Sequence, residues 1–218
     1  MTKVKICGNT RPEDVKLAVS LGADYVGFIF AESKRKIDIP RAQEMMKAVP
    51  GFKNFVGVFF NQPKVEVKKI AEELDLRWLQ FHGEETARYC KFFVEKGYSV
   101  IKTFRIRDTM SHKRLDEYDV SAIMFDTFDK DMKGGTGKTF DWNLIEDRPY
   151  VHEKLFLSGG LNPDNVREAI LKVRPFAVDI SSGVEAAPGQ KDPELLKTFI
   201  QIAKESLPAH ASKGSVRS

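Results

Sequence analysis

The chain has little of what would mark a secreted, metal-binding or membrane protein. Two cysteines in 218 residues, Cys7 and Cys90, lie too far apart to resemble a disulfide framework, and they read as reduced thiols. Four scattered histidines with no Cys-x-x-Cys pair give no metal-ligand spacing, so no metal is expected. No stretch approaches the roughly 18 apolar residues of a membrane span, and the amino terminus enters a strand-like run without an apolar leader; a cytoplasmic protein with no membrane partner is expected. Neither sign of charge dominates. The 35 basic and 31 acidic residues leave a formal charge of +4, dispersed along the sequence, whereas nucleic-acid binders gather their excess into a patch. Acidic small molecules are therefore the expected partners, not nucleic acid.

What is present is a rhythm. Apolar runs of four to seven residues alternate with amphipathic segments of ten to fifteen, the pattern of repeated βα units around a parallel sheet. The expected strands are 3–8, 25–30, 54–60, 77–82, 99–103, 121–126, 153–158 and 176–181. The expected helices are 11–22, 40–49, 63–74, 84–97, 162–172 and 192–206, several opening on Pro or on an Asn-Pro-Asp start. Residues 105–119 carry few apolar side chains and are expected to hold only a short helix. Segment 132–146 opens on Gly134-Gly135-Thr136-Gly137 and turns helical no earlier than Asp141. Eight such units in 218 residues, 42% of them hydrophobic, predict an α/β fold: a single-domain (βα)8 TIM barrel, all-parallel and eight-stranded, over 1–206. Residues 207–218 lack an apolar period and read as a disordered tail or an expression remnant.

Two junctions near the carboxyl end carry the strongest chemical signal. Leu157-Ser158-Gly159-Gly160-Leu161 and Asp179-Ile180-Ser181-Ser182-Gly183-Val184-Glu185 each run an apolar strand into small residues, with a helix expected next. Small residues let backbone N–H groups approach an anion, and a helix start would aim its positive end there. In an eight-fold barrel the loops after strands 7 and 8 form the usual phosphate site. Gly159, Gly160, Ser181, Ser182 and Gly183 are thus the expected phosphate seat, with help from Gly135, Thr136 and Gly137 after strand 6.

Alternation along the strands sorts the remaining polar residues. If Val4 and Ile6 face the helices, then Lys5 and Cys7 face the barrel axis, with Cys7 at the carboxyl end. The same reading turns Gln80 and His82, Met124 and Asp126, and Asp179 and Ser181 inward. Strands 8 and 1 become neighbours on closure, so Lys5 and Asp179 lie at comparable depth and are expected to pair. Taken singly, a cysteine at a strand end is ordinarily a small buried apolar residue, and an aspartate after a strand ordinarily caps a turn.

Together, Lys5-Ile6-Cys7-Gly8, Gly27-Phe28-Ile29-Phe30 with Ser33-Lys34-Arg35, Gln80-Phe81-His82-Gly83, Phe125-Asp126, Gly134 through Gly137 with Phe140-Asp141-Trp142, Ser158 through Leu161, and Asp179 through Glu185 resemble the phosphoribosylanthranilate isomerase family of tryptophan biosynthesis. The resemblance runs in order from residue 3 to about 205. It implies a cofactor-free enzyme that isomerises N-(5-phosphoribosyl)anthranilate to 1-(2-carboxyphenylamino)-1-deoxyribulose 5-phosphate by an Amadori rearrangement; a monomer or homodimer is expected. It assigns Asp126 as the acid that opens the furanose and Cys7 as the base at C2, and it gives Arg35 a binding role, on the anthranilate carboxylate or stacked on its ring; Gln80, His82 and Asp179 are expected to line the substrate pocket. Lys5 beside Cys7 would favour a thiolate, so the thiol is expected to become more acidic than usual. Two positions depart from the family pattern: Lys34 replaces the usual Pro, and Asn9 replaces an aliphatic residue close to Cys7.

Overall fold

The computed structural model describes residues 1–105, 115–126 and 153–206. Eight parallel strands close on themselves in chain order: β1 (Lys3–Ile6), β2 (Tyr25–Ile29), β3 (Phe55–Phe59), β4 (Trp78–Phe81), β5 (Ser99–Arg105), β6 (Ala122–Asp126), β7 (Leu155–Ser158) and β8 (Ala177–Ile180). The β1–β8 seam pairs Lys3 with Ala177 through Ile6 with Ile180, which closes the barrel. Around it lie α1 (Pro12–Ser20), α2 (Ile39–Lys47), α3 (Lys64–Glu73), α4 (Ala87–Val94), α5 (Val166–Val173) and α6 (Pro193–Glu205). The all-parallel, eight-stranded barrel with helices between its strands that the sequence implies is the fold observed.

Local chemistry sets the helix limits. Asp38, Thr86 and Asp192 cap α2, α4 and α6 through side-chain oxygens that accept from backbone N–H groups of the first turn. In α6, Leu196, Phe199, Ile200 and Ala203 repeat at three- and four-residue spacing, so one face is buried against the barrel. Burying Phe199 there contributes about 2–3 kcal/mol, and Phe199→Ala would forfeit it with an added cavity cost. Helix α5 begins four residues later than its Asn-Pro-Asp signal implies. Asn162 Oδ1 accepts from Asp164 N and Asn165 N at 2.9 and 3.2 Å, so the side chain closes a turn before the helix can start. It ends at Arg174, which is left-handed at φ 52°, and Pro175 blocks any continuation.

Strand alternation divides the core as expected. Val4, Ile6, Leu79, Phe81, Ile123, Phe125, Val178 and Ile180 pack outward into the large cluster beneath the helices. A smaller cluster of Tyr25, Val56, Ile101, Ala122, Met124, Phe156 and Ala177 fills the barrel interior. Tyr25 meets Trp78 and Phe156 edge-on, with centroids 5.3 Å apart in each case, so the lower barrel is a packed plug. Polar inward residues lie beyond it, toward the carboxyl ends of the strands.

After β8 the chain departs from expectation. A 3-10 turn (Ser182–Val184) leads into a short hairpin, β9 (Glu185–Ala187) and β10 (Gln190–Lys191), before α6 begins. Gly183 therefore enters no α-helix. The hairpin is anchored to α1, where Asp14 Oδ2 accepts from Lys191 N at 3.0 Å. Asp14 in turn is gripped by both Arg11 nitrogens that reach it, Nε at 3.0 Å and Nη2 at 2.6 Å.

Candidate active site

A cavity of about 300 Å³ opens at the carboxyl ends of the strands. Cys7, Arg35, Gln80, His82, Asp126, Gly159, Gly160, Asp179, Ser181, Ser182 and Gly183 all line it, so the expected site residues that fall among the described ones meet in one place. Gly135, Thr136 and Gly137, and the segment 207–218, lie outside the described residues.

Cys7 follows β1 and is almost wholly buried. Beneath it, Lys5 donates from Nζ to Asp179 Oδ1 at 2.7 Å, the pairing that the register implied. A β-carbon on Gly27 would lie 2.8 Å from Cys7 Sγ and 3.1 Å from Lys5 Nζ, so only glycine on β2 leaves room for this thiol and ammonium to sit side by side. Asn9 sends its amide to the carbonyls of Ile6 and Gly27, at 2.8 and 3.2 Å. The residue that replaces the family's aliphatic one thus ties β1 to β2.

The expected acidity of Cys7 is overturned. Burial pushes the thiol above its ordinary range, and Lys5, although it acts downward, does not offset that cost. The reason is geometric: the Lys5 ammonium is already engaged with Asp179, whose negative charge itself opposes ionisation of the thiol. For Lys5, burial acts downward but Asp179 and Cys7 prevail, and the ammonium is held above its usual value.

On the opposite wall, His82 Nε2 lies 3.0 Å from Asp126 Oδ2, and Gln80 Nε2 lies 3.1 Å from His82 Nδ1. With the Gln80 amide donating to Nδ1, the ring carries its proton on Nε2 and donates it to Asp126. The β4 residues therefore orient the β6 carboxyl.

The third wall is backbone. Gly159 and Gly160 adopt φ of 90° and 66°, which a side chain rarely tolerates, and Asn165 Nδ2 donates to Gly160 O at 2.9 Å to hold the turn. The Ser181 hydroxyl oxygen is shielded from water and has no partner among the described residues. This is a concave nest of small residues without an α-helix start after β8.

Arg35 arrives from the loop after β2, and Glu185 takes it from behind. Arg35 Nε donates to Glu185 Oε1 and Oε2 at 2.8 and 3.0 Å, and Nη2 donates to Oε2 at 2.5 Å. Burial acts to raise the Glu185 carboxyl, yet Arg35 and Lys191 outweigh it and hold it below the usual carboxylate range. Lys191 is a residue that sequence reasoning missed. Its only local signal is a position just past the Pro188-Gly189 turn, which does not reveal burial. A second missed group is Lys102 on β5, which donates to Glu85 Oε2 and to Gly83 O at 2.7 Å each and so braces the loop that follows His82.

The family model for N-(5'phosphoribosyl)anthranilate (PRA) isomerase matches residues 4–202. An N-(5'-phosphoribosyl)anthranilate isomerase of Caldanaerobacter subterraneus subsp. tengcongensis is 47% identical over 202 residues, spanning 92% of this chain and 97% of its own. A solved structure of monomers generated from the dimeric phosphoribosylanthranilate isomerase of Thermotoga maritima, 43% identical, superposes with a TM-score of 0.81 over 94% of this chain and 99% of its own. A phosphoribosyl anthranilate isomerase solved with reduced 1-(o-carboxyphenylamino)-1-deoxyribulose 5-phosphate gives 42% identity and a TM-score of 0.80, again over 94% and 99%. Matched over nearly its whole described length in both sequence and barrel, the chain belongs to the N-(5'-phosphoribosyl)anthranilate isomerase family.

Proposed function

We propose that this protein catalyses the Amadori rearrangement of N-(5-phosphoribosyl)anthranilate to 1-(2-carboxyphenylamino)-1-deoxyribulose 5-phosphate in tryptophan biosynthesis. The observation that carries this reading is the meeting of Cys7, Asp126 and the two glycine-serine turns around one cavity. The phosphate is assigned to the turns at Gly159-Gly160 and Ser181-Ser182-Gly183, with Gly135-Thr136-Gly137 as a further contributor. The anthranilate carboxylate is assigned to Arg35. Asp179 and Gln80 line the sugar side.

Asp126 gives its proton to the furanose oxygen. The C1–O bond breaks, the anilino nitrogen pushes its lone pair to C1, and a Schiff base forms. As the proton leaves, the Nε2–H of His82 faces the carboxylate that develops. Cys7, as thiolate, then takes the C2 proton, and the resulting enamine tautomerises to the ketose. Its raised pKa makes the thiolate a minority species near neutral pH, with the Lys5 ammonium beside it as counter-charge. The reaction needs no cofactor.

No helix among the described residues is long and apolar enough to cross a membrane. As an enzyme of tryptophan biosynthesis it is proposed to act in the cytoplasm, as a monomer or a homodimer, and light scattering on the purified protein distinguishes the two assemblies. The activity is tested by following the loss of phosphoribosylanthranilate fluorescence with purified protein. Consumption accompanied by appearance of the ketose supports the assignment; a folded protein that leaves the substrate untouched removes it.

A further inference from the structure

The hairpin after β8 places two charged side chains beside the cavity that have no assigned part in the reaction. Lys191 has a side chain with no exposure to solvent, and that of Glu185 has only 4%. An ammonium has three N–H donors, and here each has its acceptor: Cys7 O at 2.6 Å, Ser181 O at 3.1 Å and Glu185 Oε1 at 3.0 Å. One cation thus joins the strand end that carries the thiol, the turn assigned to phosphate, and the carboxylate that holds Arg35.

The charge count gives the arrangement its meaning. Glu185 occupies the Nε/Nη2 edge of the Arg35 guanidinium, and among the described residues no acceptor engages Nη1. The other edge is a second fork of suitable shape for a carboxylate. Arg35 with Glu185 alone would be a neutral pair, and a bound carboxylate would bring the group to one negative charge in a poorly solvated place. With Lys191 there are two cations to one anion, and the same carboxylate brings the cluster to neutrality.

We propose that Lys191 is a positioning residue for substrate-carboxylate recognition: it balances Glu185, so that Arg35 stays both aligned by Glu185 and electrostatically free to take the anthranilate carboxylate. This rests on the isomerase reading above. It extends the site to a residue on β10 that touches no substrate, and it explains why a charged side chain is buried in the hairpin at all.

The test compares two ligands: reduced 1-(o-carboxyphenylamino)-1-deoxyribulose 5-phosphate and the same compound lacking the ring carboxylate. Dissociation constants are measured for wild type, Lys191→Met, Lys191→Gln and the double variant Lys191→Met/Glu185→Gln, with thermal melts as the folding control. Lys191→Met should weaken the carboxylated ligand about 10-fold or more and the other less than about 3-fold. Lys191→Gln keeps donors for the two carbonyls without the charge and should show the same selective loss. It also serves as the measured variant if Lys191→Met does not fold. The double variant, with the anion removed as well, should regain most of the affinity lost by Lys191→Met. Equal weakening of both ligands, or a double variant no better than Lys191→Met, would show a purely structural tie and overturn the proposal. Wild-type turnover is measured first, so failure of the isomerase reading is seen separately.

Discussion

Lys5 and Asp179 face each other across the seam where β1 closes on β8, with Nζ 2.7 Å from Oδ1 and both side chains nearly or wholly buried. Asp179 Oδ2 also accepts from Ser158 Oγ at 3.1 Å, so the pair extends to β7. A buried pair contributes modestly as a whole, but removing one partner strands the other charge away from water. Lys5→Met or Asp179→Asn should therefore lower stability by about 3–5 kcal/mol, and Lys5→Met with Asp179→Leu should recover part of that. Urea unfolding checks this; a single variant within about 1 kcal/mol of wild type would show that the seam does not depend on the pair.

The same ammonium sets the chemistry of its neighbour. Burial raises the Cys7 thiol and Lys5 acts against it, so Lys5→Met should push the thiol higher still. The rate of iodoacetamide alkylation, followed against pH in a Cys90→Val background, reports the thiolate fraction directly. The alkylation midpoint is expected to move upward in Lys5→Met. A midpoint that stays or falls would mean that the ammonium is not the counter-charge assigned to it.

Proton-transfer roles make a separate demand. Cys7→Ala and Asp126→Asn should each reduce turnover at least about 100-fold, the lower end for a positioned acid or base. His82→Phe removes a donor aimed at the Asp126 carboxylate and should cost roughly 10-fold to 100-fold, since a hydrogen bond to a charged group contributes about 1.5–3 kcal/mol. Near-normal turnover in any of the three withdraws that residue from its step.

How much of this was legible in the sequence follows from the range of the forces involved. Alternation in β1, β4, β6 and β8 is a local property, and it placed Lys5, Cys7, Gln80, His82, Asp126 and Asp179 inside the barrel. Most expected strand limits run one or two residues past the ladder, at Phe30 and Phe60 because apolar residues continue beyond the last partner, whereas β5 runs two residues further than its expected end at 103. The upward direction of the Cys7 shift is not legible in the sequence because desolvation depends on everything packed around the thiol, whereas its neighbour Lys5 is visible two residues away. Lys191 was invisible for a similar reason. Its burial is created by residues 7, 14, 181 and 185 arriving together, and nothing in Pro188-Gly189-Gln190-Lys191 announces that.

Alkaline stability offers a check on burial itself. Lys5 and Cys7 are held above their ordinary values, and burial raises Cys90 to about 12 from 9.0. A group whose folded value is raised contributes stability that is full below the unfolded value and is lost as pH rises toward the folded one. Lys191, which burial shifts downward, works in the opposite direction. The net expectation is falling stability above pH 9.0, the ordinary thiol value, where the cysteines begin to count. For Cys90 alone the loss reaches about 2 kcal/mol at roughly 1.5 pH units above that value. Cys90→Val should flatten the curve of urea-derived unfolding free energy against pH by that amount, and an unchanged curve would show that the thiol titrates freely.

Gly183 gives the sharpest steric test of the anion seat. A β-carbon there would lie 2.1 Å from the carbonyl oxygen of Leu161 and 3.1 Å from Ile180 Cδ1. The first obstacle is backbone, which no rotamer change can move aside, so Gly183→Ala must separate the turn after β8 from the turn after β7. Those are the two turns assigned to one phosphate, and spreading them lengthens every N–H contact to it. Overpacking of this kind costs about 1–3 kcal/mol of stability, while the phosphate should lose at least about 10-fold in affinity. Gly160→Ala is the companion variant, because nothing lies within 4 Å of its added β-carbon and its penalty comes only from φ 66°. Inhibition by inorganic phosphate, measured for both, separates the cases: Gly183→Ala should bind it much more weakly than Gly160→Ala does. Equal inhibition constants would mean that closure of the two turns on each other is not what forms the seat.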